Sequence, residues 1–329
     1  MAKLHLITYG CQMNEYDSER VAGLLGRERY ELTDHEDEAD LILINTCAIR
    51  EKAEDKVFSR LGQLKGLKQK NPGLIIGVMG CMAQLQQSAI LKRAPIVDLV
   101  FGSPAMSRVG ELVERVKRER RPIVETGEHP LTKLTTTLPR PDRLKAFVTV
   151  MEGCDKYCAF CVVPLTRGHE RSHSPESILE EIRGLATQGY REVTLLGQNV
   201  NAYGKDLTPP TDLAALIELV NEVEGIERIR FTTSNPVNLT TRLIRALRNV
   251  PKACEFLHLP LQSGSDRVLE RMNRGYTRAR YLELIQELQE TVPGLALSTD
   301  LIVGFPGESE QDFEATVEMV ERVGYDSLF

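Results

Sequence analysis

The stretch EGCDKYCAFCVVPLTRG places three thiols, Cys154, Cys158 and Cys161, within a single short segment. Thiolates are soft ligands suited to zinc, copper(I) and iron–sulfur centres. A closed structural zinc site takes four protein ligands, whereas a site that performs chemistry keeps one position open. No fourth cysteine or histidine follows close behind, so the spacing predicts an open site. Three further cysteines share a different pattern. Cys11 follows KLHLITYG, Cys47 follows DLILINT and Cys81 follows GLIIGVMG. Each stands just past an apolar run that reads as a strand. In a parallel sheet the carboxyl ends of the strands lie on one edge, where ligands bind. Buried thiols are common as small hydrophobes, and one at a strand end would carry little weight. Three out of three predict a second three-thiolate metal site. Two such sets favour iron–sulfur clusters over zinc, because a cubane held by three cysteines leaves one iron open. The seventh cysteine, Cys254, precedes EFLHLP and reads as core.

The elements that must position these thiols alternate strand and helix. In the first part, 3–9, 40–46, 73–80 and 97–102 read as buried strands, with helical patterns near 15–27, 51–70, 83–92 and 107–117. This rhythm predicts an N-terminal parallel-sheet α/β domain over 1–125. The Thr- and Pro-rich stretch 126–143 reads as a linker. From 144 to 329 the rhythm resumes in KAFVTVMEG, EVTLLGQN, IRFTTSNP, FLHLPLQSG and LALSTDLIVGFPG, separated by helices, the first opened by a Ser-Pro-Glu cap. Five such units predict a partial (β/α) barrel of the TIM-like kind, with its chemistry at the carboxyl ends of the strands. A second doubly wound sheet is the alternative. The closing GYDSLF reads as a sixth strand just beginning, so the barrel is expected to be truncated there.

Composition narrows the partners. The chain has 329 residues, 42% hydrophobic and 27% charged, with a net charge of −6, which fits a soluble globular protein with room for two cores. No apolar run approaches the roughly 20 residues that span a bilayer, and the N-terminus lacks a signal-peptide pattern. These features predict a cytoplasmic protein with no membrane partner. Seven cysteines in a reducing compartment read as metal ligands or catalytic groups rather than disulfides. Net negative charge gives no overall attraction for nucleic acid, and the basic run RVKRERR (115–121) reads as a solvated helix end.

Cys154-x-x-x-Cys158-x-x-Cys161, with Phe160 before the last cysteine and at the end of a first barrel strand, is similar to the cluster signature of radical S-adenosylmethionine enzymes. Together with the three N-terminal cysteines it resembles the methylthiotransferase family of those enzymes along essentially the whole chain. CDKYCAFCVVPLTRG, LLGQNVNAYG, HLPLQSGSDRVLERMNRGYTR and STDLIVGFPGE resemble the branch that modifies tRNA, GQNVNAYG (197–204) being the most discriminating. His173 and Asn235 depart from the family pattern, which usually has arginine and often histidine there. The family also completes its barrel and adds an RNA-gripping β-barrel domain, so the resemblance leads to the expectation that both pieces are missing after Phe329.

The resemblance implies two [4Fe–4S] clusters as cofactors, one on Cys154, Cys158 and Cys161 that binds S-adenosylmethionine at its open iron, and one on Cys11, Cys47 and Cys81 that handles sulfur. One S-adenosylmethionine would supply a methyl group and a second the 5′-deoxyadenosyl radical, placing a methylthio group on carbon 2 of isopentenyl-adenosine beside the tRNA anticodon. The implied partners are that tRNA, in whose loop the base can be splayed out, and an electron donor such as flavodoxin or ferredoxin, with the enzyme a monomer. For cofactor contacts, polar or small residues at barrel strand ends are the candidates: Gln198, Asn199, Ser234, Gln262, Asp300 and Gly304. His169, His173 and His258 show no partner pattern. The competing expectations are the same chemistry on a ribosomal-protein aspartate, or a non-catalytic metal-binding or electron-carrier module.

Overall fold

The computed structural model describes residues 1–48, 51–131 and 144–329. The chain divides into two compact units, Met1–Pro141 with Val162–Gly168, and Asp142–Cys161 with His169–Phe329. Of the expected linker, 126–131 has no regular structure, and 132–143 lies outside the described residues.

The first unit contains β1 (Ala2–Tyr9), α1 (Gln12–Arg27), β2 (Tyr30–Leu32), β3 (Leu41–Thr46), α2 (Glu51–Lys70), β4 (Ile75–Gly80), α3 (Cys81–Gln86), α4 (Ser88–Arg93), β5 (Leu99–Phe101), α5 (Val109–Glu119), β6 (Ile123–Glu125) and the short α6 (Val163–Arg167). Its six strands form one sheet in the order β2-β1-β3-β4-β5-β6, all pairs parallel. LILINT in β3 is buried at every position, as a central strand covered on both faces requires. Alternation divides it: Leu41 and Leu43 face a core with Val21, Leu25, Leu112 and Val116, while Ile42 and Ile44 face a second core with Val57, Leu61 and Leu64.

Two short strands add to the expected elements, and one expected helix is corrected. β2 and β6 are present although no strand is legible there, because each is three residues long with only one buried. The single helix expected at 83–92 is two, broken at Gln87, whose φ of +50° no helix accommodates. The run 115–121 ends α5 as expected, and its charges pair locally, Arg115 and Arg121 with Glu119 and Lys117 with Glu114.

The second unit runs β7 (Lys145–Thr149), β8 (Met151–Glu152), β9 (Arg171–Ser172), α7 (Pro175–Thr187), β10 (Glu192–Leu196), α8 (Leu213–Asn221), β11 (Arg228–Phe231), α9 (Thr241–Asn249), β12 (Phe256–His258), α10 (Asp266–Arg271), α11 (Arg278–Thr291), β13 (Ala296–Thr299), α12 (Glu310–Val323) and β14 (Ser327–Leu328). The helices start where side-chain oxygens can take up free backbone N–H groups: Ser174, Thr240, Thr277 and Ser309 each cap one. The strands form two parallel three-stranded sheets, β11-β10-β7 and β12-β13-β14. Between them only the isolated pairing of Ile229 with Ala253 continues the ladder, so this is the unclosed barrel that the repeated βα units predict. KAFVTVMEG is not one strand. It breaks at Val150, and β8 pairs antiparallel with β9, fixing the chain just before Cys154.

Candidate functional site: two thiol sets at strand ends

All seven cysteines are thiols outside any disulfide. In the first unit, register determines where the N-terminal three stand. Tyr9 of β1 pairs with Thr46 of β3, and Thr46 pairs with Gly80 of β4. Cys11, Cys47 and Cys81 therefore leave three adjacent strands at one edge, with neighbouring strands about 4.8 Å apart. The Cys47 N–H extends the ladder by donating to the Tyr9 carbonyl at 3.0 Å. Cys47 and Cys81 are buried and Cys11 is exposed.

A buried amide pair ties the three loops together. Asn14 Nδ2 donates to Asn45 Oδ1 at 3.1 Å, and Asn45 Nδ2 donates to the Asn14 carbonyl at 2.8 Å and to Ser18 Oγ at 3.0 Å. Asn14 Oδ1 also accepts from the Cys11 N–H at 3.2 Å and lies 3.5 Å from the Cys11 sulfur. The third loop closes on the same pair at Gly80, where φ is +93° and a Cβ would stand 2.3 Å from Asn45 Oδ1. Only glycine fits that approach. Beneath the hub, Asp17 of α1 accepts from Arg167 Nη2 at 2.6 Å, both side chains being almost fully buried.

In the second unit Cys154 and Cys158 are buried and Cys161 is partly so. Burial pushes the Cys154 thiol up to about 11, and Glu170, Cys161 and Cys158 add to the shift. Gly153, with φ +83°, turns the chain into this loop, and its N–H donates to Gln198 Oε1 at 2.5 Å. Asn199 Nδ2 donates to Glu170 Oε1 at 2.7 Å and Asn238 Oδ1 at 3.1 Å.

The six expected cofactor contacts fall into two groups. Gln198 and Asn199 follow β10, and Ser234 follows β11, in the sheet that also holds β7. Each keeps a buried side-chain atom without a hydrogen-bond partner: Gln198 Nε2, Asn199 Oδ1 and Ser234 Oγ. Such atoms are costly to leave unsatisfied, so three of them at adjacent strand ends fit a polar ligand. Gln262 and Asp300 lie in the other sheet, the Gln262 N–H donating to the Asp300 carbonyl at 2.8 Å. Gly304, at φ +76°, has open space where a side chain would be, and its N–H donates to Glu308 Oε2 at 2.5 Å.

His258 and His169 are hydrogen-bonded, whereas among the described residues buried His173 Nε2 has no hydrogen-bond partner. His258 bridges Ser298 Oγ at 2.8 Å and Asp300 Oδ2 at 3.2 Å, His169 reaches Asp155 at 2.7 Å, and His173 lies 3.9 Å from Glu152. Those carboxylates are distant in sequence, so spacing carries no trace of the pairs. Cys254 is only half-buried rather than fully in the core.

Among the described residues no three His, Cys, Asp or Glu side chains are gathered tightly enough to hold a metal ion. A cubane makes a different demand, one thiolate on each of three irons, so its ligands need not converge on a point. Both sets fit that group in number and softness.

The Radical SAM superfamily profile matches residues 148–320, and Uncharacterized protein family UPF0004 matches 3–102. The chain is 50% identical over 326 residues to the tRNA-2-methylthio-N(6)-dimethylallyladenosine synthase of Clostridium beijerinckii, covering 98% of this chain and 71% of that protein. It is 52% identical over 332 residues to the enzyme of the same name from Hahella chejuensis, covering 99% and 74%. Its fold is similar to the radical S-adenosylmethionine methyltransferase TsrM from Kitasatospora setae, with TM-score 0.74 at 12% identity, over 100% of this chain and 72% of that one. It is also similar to the cobalamin-dependent S-adenosylmethionine radical enzyme OxsB, with TM-score 0.69 at 15% identity, over 98% and 52%. The fold and the thiol loop define a radical S-adenosylmethionine protein. The chain belongs, within that superfamily, to the family of the tRNA-2-methylthio-N(6)-dimethylallyladenosine synthases.

Proposed function

We propose that the protein methylthiolates carbon 2 of the N6-dimethylallyl (isopentenyl) adenosine next to the anticodon of tRNA. Cys154, Cys158 and Cys161 would hold one [4Fe–4S] cluster in the domain 144–329, and Cys11, Cys47 and Cys81 a second in the domain 1–125. When bound, the clusters and S-adenosylmethionine supply the one-electron and sulfur chemistry. The chain's own residues shape the site around them. Gln198 Oε1 fixes the Gly153 backbone at the entry to the thiol loop, while its Nε2, with Asn199 Oδ1 and Ser234 Oγ, is left to meet S-adenosylmethionine. Gln262, Asp300 and Gly304 are assigned to the same cofactor on the second sheet. Cys154 and Cys158 are themselves shielded from water, whereas Asp155, Tyr157, Ala159 and Phe160 of the same loop are exposed.

The observation that carries this reading is the three-thiol loop beside three orphaned polar atoms at neighbouring strand ends, supported by relatives of half-identical sequence over nearly the whole chain. No helix among the described residues is long and apolar enough to cross a membrane. The site of action is the cytoplasm, where tRNA and a flavodoxin- or ferredoxin-type electron donor are found, and the enzyme works as a monomer.

The test is anaerobic reconstitution, an iron and sulfide count, and an assay on tRNA carrying the dimethylallyl group. About eight irons per chain, from two clusters of four, and a methylthio product are expected. Zinc in place of iron would overturn the cluster assignment. Product on a ribosomal-protein aspartate but not on tRNA would overturn the substrate.

A further inference from the structure

The turn between α10 and α11 contains part of the MNRGYTR motif, and the function described so far gives it no role. Three consecutive residues of that turn grip the thiol loop. The Met272 carbonyl accepts from the Ala159 N–H at 3.0 Å. Asn273 Nδ2 donates to the carbonyls of Lys156 and Tyr157 at 3.3 and 3.0 Å. Arg274 Nη1 donates to the Cys158 sulfur at 3.2 Å. Asn273 has φ +56°, a left-handed conformation that asparagine tolerates better than most residues, and it turns the backbone so that its neighbours meet the loop.

Arg274 is 7% exposed, yet its other partners are neutral: the Tyr276 hydroxyl at 3.3 Å and the Pro260 carbonyl at 3.5 Å. Tyr276 is itself fixed, its hydroxyl donating to the Leu261 carbonyl at 2.6 Å. Among the described residues Arg274 has no carboxylate partner. A buried cation without a counter-charge is expensive. Three thiolates carrying a cluster would supply that charge.

We infer that Arg274 is a positioning residue for the barrel cluster, orienting Cys158 through a charge-assisted hydrogen bond and raising the cluster's reduction potential. This rests on the assignment of Cys158 as a cluster ligand made above. Reduction adds one electron from an external reductant, with no bond formed or broken. It makes the cluster one unit more negative, so a neighbouring cation stabilises the reduced state more than the oxidised one. Hydrogen bonds to ligand sulfur and local charge are established levers on such potentials. The planar fork suits the role better than an ammonium, since one nitrogen addresses the sulfur while the others stay on Tyr276 and Pro260.

The experiment uses the reconstituted full chain with Cys11, Cys47 and Cys81 replaced by alanine, so that only the barrel cluster reports, and titrates it with dithionite while following its paramagnetic signal. If this background takes up no cluster, the ligand assignment fails and the inference falls with it. If it does, Arg274→Gln is expected to load comparable iron and to shift the midpoint to more negative potential, and Arg274→Lys to recover part of that shift. A Gln variant that loads no iron beside a Lys variant that loads at near-parental potential also supports the inference, because charge at this position is then what holds the site. Unchanged midpoints in both loaded variants would overturn it. So would loss of the cluster from both, because the arginine would then be building the loop rather than tuning the cluster.

Discussion

Cys11, Cys47 and Cys81 come from three strand ends assembled by sheet register, whereas Cys154, Cys158 and Cys161 come from one loop that a distant turn must then clasp. The first set inherits its geometry from the hydrophobic sheet beneath it. Tyr9, Thr46 and Gly80 are aligned by the ladder itself, and neutral amides, Asn14 and Asn45, tie the loops. The second set has its ligands close by covalent connection but little regular structure of its own. Its order comes from Gln198 on one side and Met272 to Arg274 on the other, including the guanidinium that donates to the Cys158 sulfur. The first set is thus assembled by long-range register, and the second by local spacing that a buried cation supports from a distant turn.

The largest expected effect separates the two sets by chemistry. Cys158→Ala is expected to abolish both cleavage of S-adenosylmethionine and methylthio product, while Cys47→Ala abolishes product only. Quantifying 5′-deoxyadenosine under reductant checks this, and equal loss of cleavage in both variants breaks the division of labour. Each triple-alanine variant should retain about four irons of eight; loss of all iron from one folded variant would show the sites to be interdependent.

Next in size is the frame beneath the first set. Asp17→Ala removes a carboxylate that accepts from the buried Arg167, and breaking a buried ion pair from one side typically costs about 3–5 kcal/mol. Because Asp17 lies on the helix that Cys11 caps, denaturant unfolding should show the loss, and iron bound by the first set should fall with it. Asn45→Ala removes the hub at a cost of about 1–3 kcal/mol, the usual range for stranding buried polar partners. It should lower iron in the first set and leave the second set's share intact. A drop in both would mean that the hub serves the whole chain.

The smallest effect is a rate. In the metal-free protein the buried Cys154 thiol titrates at about 11, above the ordinary thiol value, so its thiolate fraction keeps rising with pH up to that point. Alkylation of Cys154, followed by peptide mass analysis, should therefore accelerate steadily between neutral pH and about 11. A plateau near the ordinary thiol value of about 8.5 would contradict the burial argument.

Much of this was legible before any coordinates. The strands of the first unit are long apolar runs because parallel strands covered on both faces must be, and the cysteines beyond them are visible as strand-end residues. The same logic points to Gln198, Asn199 and Ser234, and among the six candidate contacts these three carry an orphaned side-chain nitrogen or oxygen. The brief edges β2 and β6 escaped because three residues carry no period. Arg274, Asn273 and Glu170 escaped for a different reason. Their relation to the thiols runs through space between segments far apart in the chain, and no spacing rule reports on that. The Asn14–Asn45 pair is hidden similarly, although both residues stand close to cysteines whose strand ends they secure.

The aligned ends Tyr9, Thr46 and Gly80 also bear on how much change in length each site can absorb. Residues added in the exposed turns between β1, β3 and β4, away from Asn14, Asp17 and Ser18, would alter the distance along the chain between the first three cysteines while the hydrogen-bonded ladder holds the strand ends in place. One residue added between Cys154 and Cys158 has no such refuge. It would shift Cys158 past the guanidinium of Arg274 and carry the carbonyls of Lys156 and Tyr157 away from Asn273. Loop-length libraries should therefore be tolerated in the exposed turns of the first sheet remote from its thiols, while the spacing in Cys154-x-x-x-Cys158-x-x-Cys161 admits neither insertion nor deletion.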